Sequence, residues 1–254
     1  MKLIRSISTS PEILEIYRRL RFNQGLQRWW PGDSSFEVVV GTILTQNTNW
    51  ENVKKAIANL EQADLLHPAK IVEIPVDSLI TLIRPTGFHT QKPFRLKAIS
   101  QWWLNNVGDS IQPLSAIIET TWGNDPGYLR VPSAPLVNRT IDVVRAELMG
   151  LKGVGPETAD AILLYALGLP SYVVDAYTRR IFSRLGFVEV NISYEDLRAL
   201  FLSNLPQDLK LFNDYHAQIT TLAKNHCLKT PRCVSCPLRE ICLYFQTSSP
   251  ISPA

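Results

Sequence analysis

The chain has 254 residues, 45% hydrophobic and 19% charged, with a net charge of +3. That length can bury a full core as one large domain or two small ones. The composition is that of a soluble globule and excludes disordered, collagenous and membrane-spanning classes. A charge so near neutral also excludes uniform electrostatic capture of nucleic acid. A local basic face would be needed instead, with Lys92, Arg95, Lys97, Arg179, Arg180 and Arg184 as candidates.

In chain order, no N-terminal apolar run reaches the length of a signal peptide or membrane span, so a cytoplasmic protein is expected. Ile13, Ile16, Tyr17 and Leu20 recur at helical spacing, and so do Val53, Ala56, Ile57 and Leu60. From about Asp109 to Asn138 the periodicity breaks at Pro113, Gly123, Asp125-Pro126-Gly127, Pro132 and Pro135, which predicts a long connection. Ala159, Ile162, Leu163 and Ala166 form another helical stripe, ended by Gly168-Leu169-Pro170. Arg179 to Leu185 reads as the next helix, and Thr247 to Ala254, rich in serine and proline, as a frayed tail. No segment alternates with period two and no solenoid repeat recurs, so the fold class is all-α.

Leu151-Lys152-Gly153-Val154-Gly155-Pro156-Glu157-Thr158 reads as a tight turn between two helices. The glycines allow a sharp bend and close approach of a partner, and Pro156 suits the first helical position. N–H groups at such a helix start suit a phosphate, which would position a duplex without reading its bases. After an apolar run, Val173-Val174-Asp175 places one carboxylate at the start of the next helix. By itself that aspartate reads more readily as an N-cap than as a catalytic group.

All four cysteines, Cys227, Cys233, Cys236 and Cys242, lie in one late segment. Disulfides there would staple only a short tail loop, in a chain large enough not to need them. Four thiolates so near one another suit one metal centre, iron–sulfur or tetrahedral zinc, and spacing leaves the two open. Only Cys233 and Cys236 form a Cys-x-x-Cys pair. His67, His89, His216 and His226 show no ligand spacing.

Hairpin, aspartate and cysteines together resemble the endonuclease III group of helix-hairpin-helix DNA glycosylases, over roughly residues 30 to 245. Leu44-Thr45-Gln46-Asn47-Thr48 and Thr86-Gly87-Phe88 resemble that family's two DNA-wedging loops. Trp29-Trp30-Pro31, Trp50, Arg84-Pro85-Thr86-Gly87-Phe88 and Glu157 to Leu163 are similar to its bacterial 3-methyladenine glycosylase subgroup. The best-known type of that subgroup lacks the cluster, whereas this chain keeps four cysteines. The first cysteine gap is one residue shorter than in endonuclease III.

The resemblance implies a two-domain fold. A six-helix domain of residues 34–169 would face a cluster domain built from 1–33 and 170–246, with Asp175 at the cleft and 247–254 a disordered tail. It implies a [4Fe-4S] cluster on the four cysteines, in preference to zinc. The partner would be double-stranded DNA carrying a damaged base, bound by a monomer, with Gln46, Phe88, Lys152, Gly153, Val154, Gly155 and Thr158 contacting it. Trp29, Trp30, Pro31 and Trp50 would line the base pocket, while Trp102 and Trp103 lack a motif and read as core.

Breaking the base–sugar bond builds positive charge on the sugar, which Asp175 would stabilise while orienting water. Bifunctional relatives carry a lysine where Glu157 stands, and a glutamate cannot form an imine. The expectation is therefore a monofunctional glycosylase for alkylated purines such as 3-methyladenine. The alternatives are a glycosylase, or a glycosylase/lyase, for oxidised, deaminated or mismatched bases, a non-catalytic hairpin DNA-binding protein, and a zinc protein.

Overall fold

The computed structural model describes residues 10–27, 29–30, 32–87, 90–109, 136 and 139–248. Pro31, Phe88 and most of the long connection lie outside the described residues. Among those described there are twelve α-helices and no strand element. The first six are α1 (Ser10–Gln24), α2 (Ser35–Thr45), α3 (Trp50–Gln62), α4 (Pro68–Glu73), α5 (Val76–Ile83) and α6 (Lys92–Asn106). Then come α7 (Ile141–Gly150), α8 (Pro156–Ala161), α9 (Ala176–Leu185), α10 (Tyr194–Asn204), α11 (Leu209–Asn225) and α12 (Leu243–Ser248).

The chain divides into two compact units, Met1–Trp29 with Tyr172–Ala254, and Trp30–Ser171. These divisions fall between 29 and 30 and between 171 and 172, against the 33/34 and 169/170 expected from sequence. Trp29 and Trp30 therefore belong to different units. Helix α12 runs two residues into the stretch expected as tail, and 249–254 lie outside the described residues.

In the unit that holds both termini, Ile13, Ile16 and Leu20 of α1 are buried, as the helical spacing predicts. An aromatic core forms where Tyr172 stacks on Phe201 at 4.1 Å and meets Phe212 edge-on at 5.2 Å. Such offset and edge contacts add to the stabilisation from burial itself. In the middle unit Phe36, Ile43, Leu44, Val53, Leu60, Leu96 and Trp103 are fully or almost fully buried, and Trp102 is 8% exposed.

The stripe from Ala159 does not stay α-helical. After Ala161 the chain widens to a π-helix over Ile162–Ala166, with Leu167 N–H bonded to Ile162 O at 2.9 Å. All residues from Ala159 to Leu167 are buried, so the apolar spacing that predicts a helix here does not distinguish an α turn from a π turn. One-turn widenings of this kind reorient side chains and are frequent near functional sites.

Most of the expected basic face is engaged elsewhere. Lys92, 1% exposed, donates to Leu44 O at 2.7 Å and Thr86 O at 2.9 Å. It satisfies carbonyls at the ends of α2 and of the short 3-10 turn Arg84–Thr86. Lys97 similarly donates to Val72 O at 2.6 Å and Ile71 O at 3.1 Å. Arg180 donates to Cys227 O at 2.8 Å, and Arg184 to Leu228 O at 2.6 Å and Lys229 O at 2.7 Å. Charge counted in sequence is spent here on orphan carbonyls.

Candidate functional site

The turn between α7 and α8 is closed by Val154 N–H to Leu151 O at 3.0 Å. Gly153 sits at φ +87°, left-handed backbone that favours glycine, and a Cβ there would overlap the Arg95 side chain. Gly155 is different: its φ is −90°, and a Cβ would meet no atom within 4 Å. Nothing internal requires glycine at this exposed position. Val154 is buried and anchors the turn, while Lys152 and Glu157 are exposed.

Gln46 follows α2 and folds onto this turn. Its amide donates to Gly153 O at 3.0 Å and Thr158 Oγ1 at 3.1 Å, while its carbonyl accepts from Arg95. Asn47, next along, has φ 54°, so the loop is held in a left-handed bend by a residue that tolerates one. Gln46, Arg95, Gly153 and Thr158 thus form one polar surface of the middle unit. Arg95 is the one expected cation found beside the hairpin.

Three aromatic rings gather in the same unit. Trp30 meets Trp50 edge-on at 5.5 Å and Tyr165 at 5.4 Å, and it lies against α2 at Gly41. Tyr165 comes from the π-helix and was not singled out from sequence, where it stands in no motif. Trp29 in the other unit has the Lys224 ammonium 5.4 Å from its ring centroid.

Asp175 is the N-cap of α9. Its Oδ1 accepts from the Thr178 N–H at 2.7 Å and the Thr178 hydroxyl at 2.8 Å, completing a capping box. Its Oδ2 faces His216 Nε2 of α11 at 3.7 Å, with the side chains 17% and 10% exposed. Burial works to raise the Asp175 pKa, but His216 and the bonds from Thr178 outweigh it and hold the carboxyl below its ordinary range. The positive end of α9 acts in the same direction. His216, assigned no role from sequence, is therefore the partner of the candidate acid.

Cys227, Cys233, Cys236 and Cys242 are half-buried and unbridged. Burial pushes the Cys236 thiol up to about 11, and the three other thiols add to the rise. Cys242 is raised by burial too, with Cys227 and Cys233 contributing. Sulfurs that sense one another in this way share one locality. Arg184 Nη1 donates to Cys227 Sγ at 3.2 Å, and backbone N–H groups of Leu238, Tyr244 and Phe245 are directed at Cys236 and Cys242. Among the described residues no three His, Cys, Asp or Glu side chains close around a metal position. The fit to a metal centre thus rests on donor chemistry: four cysteine sulfurs in one segment, with an arginine and backbone N–H donors aimed at sulfur.

A family model described as HhH-GPD superfamily base excision DNA repair protein matches residues 40–207. A Methanocaldococcus jannaschii protein provisionally assigned as a DNA repair glycosylase is 42% identical over 231 residues, covering 91% of this chain and 96% of its own. The structure of the Helicobacter pylori 3-methyladenine DNA glycosylase MagIII bound to 1,N6-ethenoadenine is 28% identical. It aligns at a TM-score of 0.63 over 85% of this chain and 98% of that one. A trapped endonuclease III–DNA covalent intermediate shares the fold, at a TM-score of 0.72 and 19% identity over 95% of this chain and 99% of that one.

Proposed function

Because the chain belongs to the HhH-GPD superfamily of base excision DNA repair proteins, as its family match and its 42%-identical relative establish, we propose that it is a monofunctional DNA glycosylase for alkylated purines. The observation that carries the proposal is Asp175, a carboxylate held ionised by a capping box and His216. An N3-alkylated adenine in DNA is cationic and leaves as a neutral base. The bond from C1′ to the base nitrogen breaks, a bond from C1′ to a water oxygen forms, and the water proton passes to solvent or Asp175. No acid is needed on the leaving side, so one carboxylate that steadies the sugar cation suffices.

Trp30 and Trp50 supply ring faces for the flipped base, with Tyr165 behind Trp30. Charge–π attraction from a desolvated cationic base is worth about 1–2 kcal/mol per favourable ring. Lys224 already takes one face of Trp29, so that ring acts on the base through its shape more than its charge. The 28% identity to MagIII supports the same substrate class. Exposed Glu157 stands at the hairpin position where bifunctional relatives of the resemblance carry lysine, which supports hydrolysis without strand cleavage. The hairpin from Lys152 to Gly155, with Thr158, holds the duplex backbone, and Gln46 leaves its seat there to fill the gap. The four cysteines would hold a [4Fe-4S] centre, which supplies a structural brace and takes no part in hydrolysis.

A panel of lesion-bearing duplexes, scored for free base with and without alkali, tests this reading. Release of 3-methyladenine with strand breaks only after alkali is expected. Borohydride trapping of an enzyme–DNA adduct would overturn the hydrolytic mechanism. Release of oxidised or mismatched bases, with none from methylated DNA, would overturn the substrate.

A further inference from the structure

Helix α11 carries Asp214, Gln218, Thr221 and Lys224, spaced so that they line one face. Each touches the short stretch that leaves α1 and ends at Trp29. Asp214 Oδ1 accepts from the Gln27 N–H at 3.0 Å, and its Oδ2 from the Tyr17 hydroxyl at 3.0 Å, with Arg21 Nε at 3.4 Å. Gln218 accepts from Gln24 Nε2 at 2.8 Å and donates to Gly25 O. Thr221 Oγ1 donates to Gln27 Oε1 at 2.7 Å, and Gln27 Nε2 donates back to Gln24 O at 2.8 Å. Lys224 then lies over the Trp29 ring.

Gln218 is fully buried and the Asp214 side chain 4% exposed. Burying a carboxylate and an amide is costly unless every bond is satisfied, and apolar side chains would pack a loop against a helix more cheaply. What satisfied polar bonds add is register: each backbone group has one place to go. Residues 25–27 have no helix of their own to fix them.

We propose that Asp214, Gln218 and Thr221 are positioning residues that set Trp29 for base recognition, a rung-by-rung grip on the segment carrying it. The inference rests on Trp29 serving the base pocket, as in the proposed function. Asp214→Asn is the obvious variant but endangers folding, since it turns an NH2 donor toward Arg21 and the Tyr17 hydroxyl in a buried place. Thr221→Val removes one hydroxyl at nearly constant shape, and Thr221→Ser restores it.

Single-turnover release of 3-methyladenine is measured for both variants, alone and combined with Trp29→Ala. Thr221→Val should slow release about fivefold, the equivalent of one hydrogen bond, with the melting temperature nearly unchanged. Thr221→Ser should recover the rate, and Thr221→Val should change nothing further in the Trp29→Ala background. If Trp29→Ala slows release and Thr221→Val adds its full factor on top, or has none of its own, the positioning role is overturned and the pocket stands. If Trp29→Ala releases base at the full rate, the pocket role of Trp29 falls and takes the inference with it.

Discussion

Asp175 uses its two oxygens for different purposes. Oδ1 is committed to the start of α9 through Thr178, and Oδ2 looks toward His216. Capping and catalysis read as rivals in the sequence; here the cap is what fixes the carboxylate. Asparagine caps a helix about as well as aspartate, so Asp175→Asn should unfold within about 0.5 kcal/mol of the parent. Its base release should nonetheless be abolished, with damaged-duplex affinity within about tenfold, because the proposed mechanism needs that charge to steady the sugar cation. The pKa sign follows from the same contacts. The folded value lies below the ordinary 3.8, so the stability from ionised Asp175 is present above that value and lost as pH falls through the folded one. Replacing His216 by Ala removes the main opposition to burial, so the acidic limb of the pH–rate profile should move to higher pH. An unmoved limb would free Asp175 from His216. Nothing in the sequence joins these two, because they come from separate helices and share no motif.

At the scale of elements, the hairpin and its neighbours show what sequence patterns can carry. The turn at Leu151–Pro156 was legible because glycine and proline act locally, and the α1 and α3 stripes because each buries a single face. The π-helix was not legible, since in a segment buried on all sides the apolar spacing gives a helix without telling its width. Nor was the burial of Lys92, because the carbonyls it satisfies belong to elements far along the chain. The two hairpin glycines also separate by experiment. Gly153→Ala forces a left-handed alanine against Arg95 and should cost about 1–3 kcal/mol of stability. Gly155→Ala meets neither obstacle, so the melting temperature should hold. Its duplex affinity should still fall, because the added methyl would occupy the space where the proposed function seats the duplex backbone. Unchanged binding by Gly155→Ala would remove the duplex from this turn.

For the whole molecule, a net charge of +3 leaves little for long-range capture of DNA, and internal carbonyls take several of the cations that sequence offered. In the proposed function, affinity comes from short-range contacts around Arg95 and the hairpin and from the flipped base. The C-terminal segment presents the opposite economy. Its cysteines lie among turns from Cys227 to Cys242, where only Leu238 offers a fully buried apolar side chain. Burial disfavours the thiolates, yet Arg184 and backbone N–H groups are directed at the sulfurs. A metal centre held by the four cysteines would resolve that conflict, favouring the thiolates and tying the turns together. Cys236→Ala should therefore lower iron content and soluble yield together, and lose the broad absorption near about 400 nm expected of a [4Fe-4S] centre. Asp175→Asn should keep iron, yield and absorption, since its cap remains. A stable parent protein isolated anaerobically with zinc on four cysteines and no iron would overturn the cluster, while leaving the hairpin and Asp175 to be judged by base release alone.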